Sequence, residues 1–215
     1  MTDGVQTSLF FEPGMAVGET GHATFFDLSS MERTELAHGA WIDVRRGWLR
    51  DGFALYDELL ASPQWRAEQR QMYDNVVAVP RLLRYFRSGE SIPWPELVDA
   101  RQRLSSHYRQ ELGEAFTSTG LCLYRDGRDS VAWHGDTLGR GATHDTVVAI
   151  VSLGASRIFA LRPRAGGPSL RLTLGHGDLV IMGGSCQRTW EHAIPKTARP
   201  VGPRISIQFR PRGVG

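Results

Sequence analysis

From Gly120 onward the chain sets short runs of valine, isoleucine and leucine between glycine, proline and aspartate, at residues 121–124, 146–153, 157–162, 169–174, 178–182 and 204–210. Apolar runs of this length, bounded by turn residues, predict the strands of a sandwich or barrel. The first half reads differently. Leu49, Phe53, Tyr56 and Leu60 recur at helical spacing within residues 48–60, and a second helix is predicted after Pro95, with Leu97, Leu104, Tyr108, Leu112 and Phe116 on one face. Residues 1–40 scatter apolar patches (9–11 and 25–28) among glycine and threonine, and are expected to lie over the core as an extended arm. Helices placed ahead of a block of strands give an α+β fold, here a double-stranded β-helix (jelly roll) buttressed by N-terminal helices.

A chain of 215 residues with 41% hydrophobic content suits a single domain. No apolar run approaches the ~20 residues of a membrane span, and residues 1–8 lack a signal-peptide pattern, so a cytoplasmic monomer with no membrane partner is expected. Cys122 and Cys186 are the only cysteines. Two thiols make neither a disulfide scaffold nor a thiolate cluster, so any metal must be held by histidine and carboxylate. The net charge of +2 is unevenly placed: residues 121–215 hold 13 basic and 6 acidic side chains, a surplus of 7. Such a surplus fits a surface that attracts a polyanion.

The stretch Trp133-His134-Gly135-Asp136 offers an imidazole and a carboxylate two residues apart, which in a strand share one face. Two histidines and one carboxylate leave an octahedral metal three open positions, the arrangement of non-haem iron(II) oxygenases. His176-Gly177-Asp178 has the same spacing. His192 follows His134 by 58 residues but His176 by only 16, and a jelly roll needs several strands between its metal-bearing ones. His134, Asp136 and His192 are therefore the expected metal ligands, and residues 175–178 are read as a tight turn. In residues 204–210, Arg204, Ser206, Gln208 and Arg210 alternate with Ile205, Ile207 and Phe209. Guanidiniums directed into a barrel need anions, and a dicarboxylate offers one at each end.

In order and spacing these motifs resemble the AlkB family of iron(II) and 2-oxoglutarate dioxygenases, across roughly residues 79–211. Tyr124-Arg125, Asp129-Ser130-Val131 and Trp133-His134-Gly135-Asp136 look most like the subgroup that includes the human AlkB homologue three. Trp190-Glu191-His192 and the 204–210 strand fall where the family has them, whereas residues 1–75 show no match. The resemblance divides the chain into an N-terminal extension with helices (1–75), a nucleotide-recognition lid and helix (76–119) and a catalytic core (120–211).

The resemblance implies that His134, Asp136 and His192 bind Fe(II). It also implies that Arg204, helped by Tyr124, holds the distal carboxylate of 2-oxoglutarate and that Arg210 lies near the proximal one. Ser206 joins the co-substrate residues, although the family usually has Asn there and also at Cys122. The implied reaction uses O2 to cleave 2-oxoglutarate to succinate and carbon dioxide while an alkyl carbon on a base nitrogen is hydroxylated and leaves as an aldehyde. The substrate would be an alkylated single-stranded or flipped-out nucleic acid. Arg81, Arg84, Tyr85, Arg87 and Trp133 are the candidates for contacting it through phosphate pairing and stacking. Leu138 stands where family members often carry an acid beside the base, and Ala132 where the subgroup has Asp. Two readings compete: the same chemistry on a protein side chain or small molecule, and a metal-free jelly-roll binding module.

Overall fold

The computed structural model describes residues 23–72 and 75–214. The expected patch at 9–11 lies outside them. Six strands form where the apolar runs predict them: β7 (Ser118–Tyr124), β9 (Val148–Gly154), β10 (Arg157–Pro163), β11 (Leu170–Leu174), β12 (Leu179–Gly184) and β14 (Arg204–Arg210). Two short strands without a long apolar run, β8 (Val131–His134) and β13 (Trp190–Ile194), join β10 and β11 in an antiparallel four-stranded sheet ordered β11, β10, β13, β8.

The larger sheet has eight strands. It recruits β2 (Glu32–Glu35), β3 (Ala40–Arg45), β5 (Arg66–Met72) and β6 (Asn75–Phe86) from the first half and is ordered β2, β3, β12, β9, β14, β7, β6, β5. The two sheets face each other as a double-stranded β-helix. Part of the expected extended arm is thus strand: β2 is an edge of this sheet, and β1 (Thr24–Phe25) pairs with β4 (Leu49–Arg50).

Alternation along β14 divides the interior. Ile205, Ile207 and Phe209 join an apolar layer with Leu97, Leu104 and Tyr108, so this face of the large sheet packs on the helices. Val148, Ile150, Phe159, Leu161 and Met182 fill the space between the sheets. Arg204, Ser206, Gln208 and Arg210, on the opposite face of β14, therefore project between the sheets. Helix α2 (Pro95–His107) starts at proline, as expected, and continues into α3 (Arg109–Leu112), which ends at Gly113 with φ 71°. Leu97, Leu104, Tyr108, Leu112 and Phe116 are all buried as their spacing requires, although Phe116 lies beyond α3.

The first helix differs from its expected outline. Asp51 takes φ 55° and stops strand β4, so α1 starts at Phe53 and runs to Ala61. Its buried stripe is Leu55 and Leu59, whereas Phe53 is 66% exposed. Leu49 belongs to β4 and sets no helical phase. No described helix is long and apolar enough to cross a membrane.

Candidate metal and co-substrate site

In the small sheet, β13 runs antiparallel to β8 and its register sets His192 directly opposite His134. Their ring centroids are 4.2 Å apart. Asp136 lies two residues past His134, just beyond the end of β8. One ligand atom from each of His134, Asp136 and His192 falls within 4.8 Å of the others, and among the described residues this is the only such group of three. His134 Nδ1 lies 2.9 Å from the Ala132 carbonyl. Donation to that oxygen fixes the tautomer with Nε2 free as a lone-pair donor.

The electrostatics suit a cation. Burial, reinforced by the neighbouring His134, pushes His192 down to about 3, and burial also lowers His134. Both rings are therefore neutral donors near neutrality. Burial opposes the charge on Asp136, but Arg210 and then His192 outweigh it and bring the carboxyl down to about 2. Arg210 Nε donates to Asp136 Oδ2 at 2.7 Å, which ties the large sheet to the small one. Gln187, on the short α4 (Cys186–Thr189), accepts from the Asp136 backbone N–H at 2.9 Å. Gly135 has a steric reason: a Cβ there would lie 2.3 Å from the Gln187 carbonyl oxygen and 2.9 Å from Arg164 Nη2.

Arg204 is 1% exposed and donates through Nε to Ser152 Oγ at 2.9 Å. Its Nη1 and Nη2 are buried with no hydrogen-bond partner. A buried charged group left in this state is costly, by several kcal/mol on the order of the ionic desolvation penalty, unless an anion completes it. Tyr124 lines the same spot, its ring 5.4 Å from the Arg204 guanidinium. Burial raises the Tyr124 hydroxyl and lowers Arg204, each partly offset by the other. An unpaired fork in a dry interior fits one carboxylate of a dicarboxylic acid. The donor set of two imidazoles and one carboxylate fits Fe(II), which prefers nitrogen and oxygen ligands.

Ser206 shares this face of β14, and its Oγ accepts from Gln208 Nε2 at 2.8 Å. Gln208 Oε1 is 3.7 Å from Cys122 Sγ, so an amide sits between the two positions where the family usually has Asn. Ser152 and Gln187 were not foreseen. A hydroxyl in the apolar run 148–154, opposite Ser206, was a readable signal for Ser152; Gln187 acts only because α4 folds back under Asp136.

The second His-x-Asp triplet does other work. Asp178 accepts from the backbone N–H groups of Gly175 and Gly47 and from Arg46, closing a turn in which Gly177 has φ 79°. His176 stacks on Phe53 at 4.1 Å and accepts from the Gly154 N–H through Nδ1.

Of the five residues expected to meet nucleic acid, four lie at or just past the end of β6 and Trp133 lies on β8. Residues 81–86 are the end of β6, and residues 82–86 pair with β7. Arg81 donates to the Ser130 carbonyl at 3.2 Å; Arg84 pairs with Glu90 and bonds Gln64. Phe86 is core at 1% exposure, while Tyr85 is 42% exposed and Arg87 is exposed. Trp133 alternates to the face opposite His134, with the Arg162 guanidinium 4.4 Å above its ring.

Two histidines and a carboxylate on the small sheet of a double-stranded β-helix, with an unsatisfied arginine between the sheets, define the site of a 2-oxoglutarate-dependent iron(II) oxygenase. Residues 56–210 match the model of the 2OG-Fe(II) oxygenase superfamily, and the chain belongs to that superfamily. The match starts within α1, ahead of the first motif that carries the family resemblance.

Its curated relatives include AlkB homologues, as the motifs imply. Alpha-ketoglutarate-dependent dioxygenase alkB homolog 3 of Bos taurus is 30% identical over 189 residues, covering 77% of this chain and 65% of the relative. The human homolog 3 is 33% identical over 56% of this chain and 47% of its own. DNA oxidative demethylase ALKBH2 of Arabidopsis thaliana is 32% identical over 56% and 45%. The chain thus spans between about half and two thirds of the length of these relatives. The solved structure of OsALKBH1 superposes with a TM-score of 0.60 at 16% identity, over 84% of this chain and all of that one, a likeness of fold.

Proposed function

We propose that this chain removes alkyl groups from nucleic-acid bases by oxidation, with Fe(II) held by His134, Asp136 and His192 and 2-oxoglutarate held at one end by Arg204. The observation that carries the reading is the Arg204 fork, buried and unpartnered, on the same β14 face as the Arg210 that holds Asp136. The metal and co-substrate together supply the oxidation of a carbon–hydrogen bond by O2, coupled to loss of carbon dioxide from the keto acid. The protein contributes geometry. His134 and His192 offer neutral nitrogen lone pairs, Arg210 holds Asp136 ionised and aimed, and Tyr124 and Ser152 fix the Arg204 fork. The burial of Arg204 and Tyr124 would keep water from that end of the co-substrate.

A nucleic-acid substrate is supported by the activity for which the ALKBH2 relatives are named, DNA oxidative demethylation, and by the basic surplus of residues 121–215. Repair of alkylation damage is the role that follows. Mass spectrometry of methylated DNA and RNA oligonucleotides incubated with the protein, iron(II), 2-oxoglutarate and ascorbate tests it. Loss of 14 mass units per methyl group, matched by succinate and formaldehyde, is the expected result. Succinate formation with intact oligonucleotides would reassign the oxidation to a protein or small-molecule substrate.

A further inference from the structure

Three large apolar side chains are conspicuously exposed among the described residues, Phe53, Tyr85 and Leu138, and two of them line one cavity. Tyr85 (42% exposed) and Leu138 (75% exposed) flank a cleft of about 420 Å³ whose other walls include Arg87, Ser118 and Arg212. The cleft borders the segment that follows Asp136, although none of the three metal ligands lines it. Leu138 is two residues beyond Asp136, and Tyr85 and Arg210 converge over Gly120, where a Cβ would lie 3.6 Å from Tyr85 Cδ2 and 3.2 Å from Arg210 Nη1. The nearest atom to that Cβ would be Gln208 Oε1 at 2.8 Å, so Gly120 keeps room for the glutamine and arginine side chains beside the tyrosine ring.

The charges in this cleft have one sign. Two arginines and no carboxylate line it, and neither Arg87 nor Arg212 has an ion pair among the described residues, whereas nearby Arg84 and Arg140 are matched by Glu90 and Glu114. Glu90, whose carboxylate accepts from the Arg87 backbone N–H, is paired with Arg84, and Asp136 is already neutralised by Arg210. We propose that this cleft seats the substrate base between Tyr85 and Leu138, selects an alkylated base with no charge, and leaves Arg87 and Arg212 for the flanking phosphates. The inference rests on the nucleic-acid reading above and names its substrate class.

The chemistry of alkylation makes the distinction sharp. Alkylating a ring nitrogen that bears no hydrogen, as in cytosine N3 or adenine N1, leaves a cationic ring. Alkylating the imide nitrogen of thymine or uracil replaces a proton and leaves the ring neutral. A tyrosine face accepts either and mildly favours the cation. The two guanidiniums that line the cleft, Arg87 and Arg212, oppose a cation, and Leu138 offers it no counter-charge.

The test uses the full chain without metal and short fluorescent single strands of one sequence carrying 3-methylthymine, 3-methylcytosine or thymine. By fluorescence anisotropy the neutral methylated strand is expected to bind about fivefold or more tighter than the cationic one, a difference of about 1 kcal/mol. Leu138→Asp should reverse that order, and Leu138→Asn should not, which separates charge from lost apolar area. Arg87→Ala with Arg212→Ala should weaken all three strands and flatten their salt dependence. Equal or tighter binding of the cationic strand by the parent, or an order unmoved by Leu138→Asp, would overturn the inference. With iron(II) and 2-oxoglutarate added, formaldehyde release should follow the binding order. The expected binding order without formaldehyde release from either methylated strand supports the base selection while overturning the demethylase reading, so the two fail separately.

Discussion

At the scale of single residues, Arg204 carries the most testable energy. Its buried fork lacks an acceptor, and an unmet charged hydrogen bond costs more than the ~1–3 kcal/mol of a neutral one. Arg204→Met is therefore expected to leave the melting temperature of the ligand-free protein unchanged or raised, while weakening 2-oxoglutarate at least about tenfold, or ~1.4 kcal/mol. Calorimetric titration with a redox-inert divalent metal present checks both, and undiminished affinity would remove Arg204 from the co-substrate site. His192 sets a pH dependence. The unfolded chain takes up its proton near 6.5, whereas burial and then His134 hold the folded ring at about 3. The metal-free fold should therefore be fully stable above the upper value and lose stability as pH falls toward the lower one. Melts of His192→Leu should show a shallower decline across that window, and an equally steep one would assign the titration to other groups.

Among the elements, α1 shows how local phase can mislead. Counting from Leu49 selects Phe53, Tyr56 and Leu60, but the break at Asp51 and Gly52 restarts the phase and buries Leu55 and Leu59. Leu59→Ala should cost roughly 2–5 kcal/mol in chemical denaturation, and Phe53→Ser about 0.5 kcal/mol or less. The core strands were legible because period-2 alternation and turn residues act locally. Strands β8 and β13 were not: they are short, and their partners lie far apart in sequence, so only the motif identified their histidines. The same limit hid Gln187, and it hid the pairing of residues 82–86 with β7. Gly135→Ala tests the close approach between the end of β8 and α4. The added Cβ meets a backbone oxygen at 2.3 Å, so the segment must shift. Metal affinity is expected to fall by about tenfold or more, with ~1–3 kcal/mol of stability, as measured by metal titration and melting.

For the molecule as a whole, two apolar layers share the large sheet, one under the helices and one between the sheets, so a single cooperative transition is expected. A non-reactive divalent metal with 2-oxoglutarate at about 100 times its dissociation constant should add ~2.7 kcal/mol, or roughly 5–10 °C in Tm for a chain this size. His134→Ala should abolish most of that shift, and a full shift in the variant would exclude it as a ligand. The direct pairing of His192 with His134 across β13 and β8 reaches beyond the chemistry of the site. A one-residue slip of β8 would turn Trp133 inward and His134 out to solvent, dismantling the ligand set at a stroke. Metal occupancy is thereby a gauge of strand register: only correctly threaded molecules load, and loading in turn locks the thread.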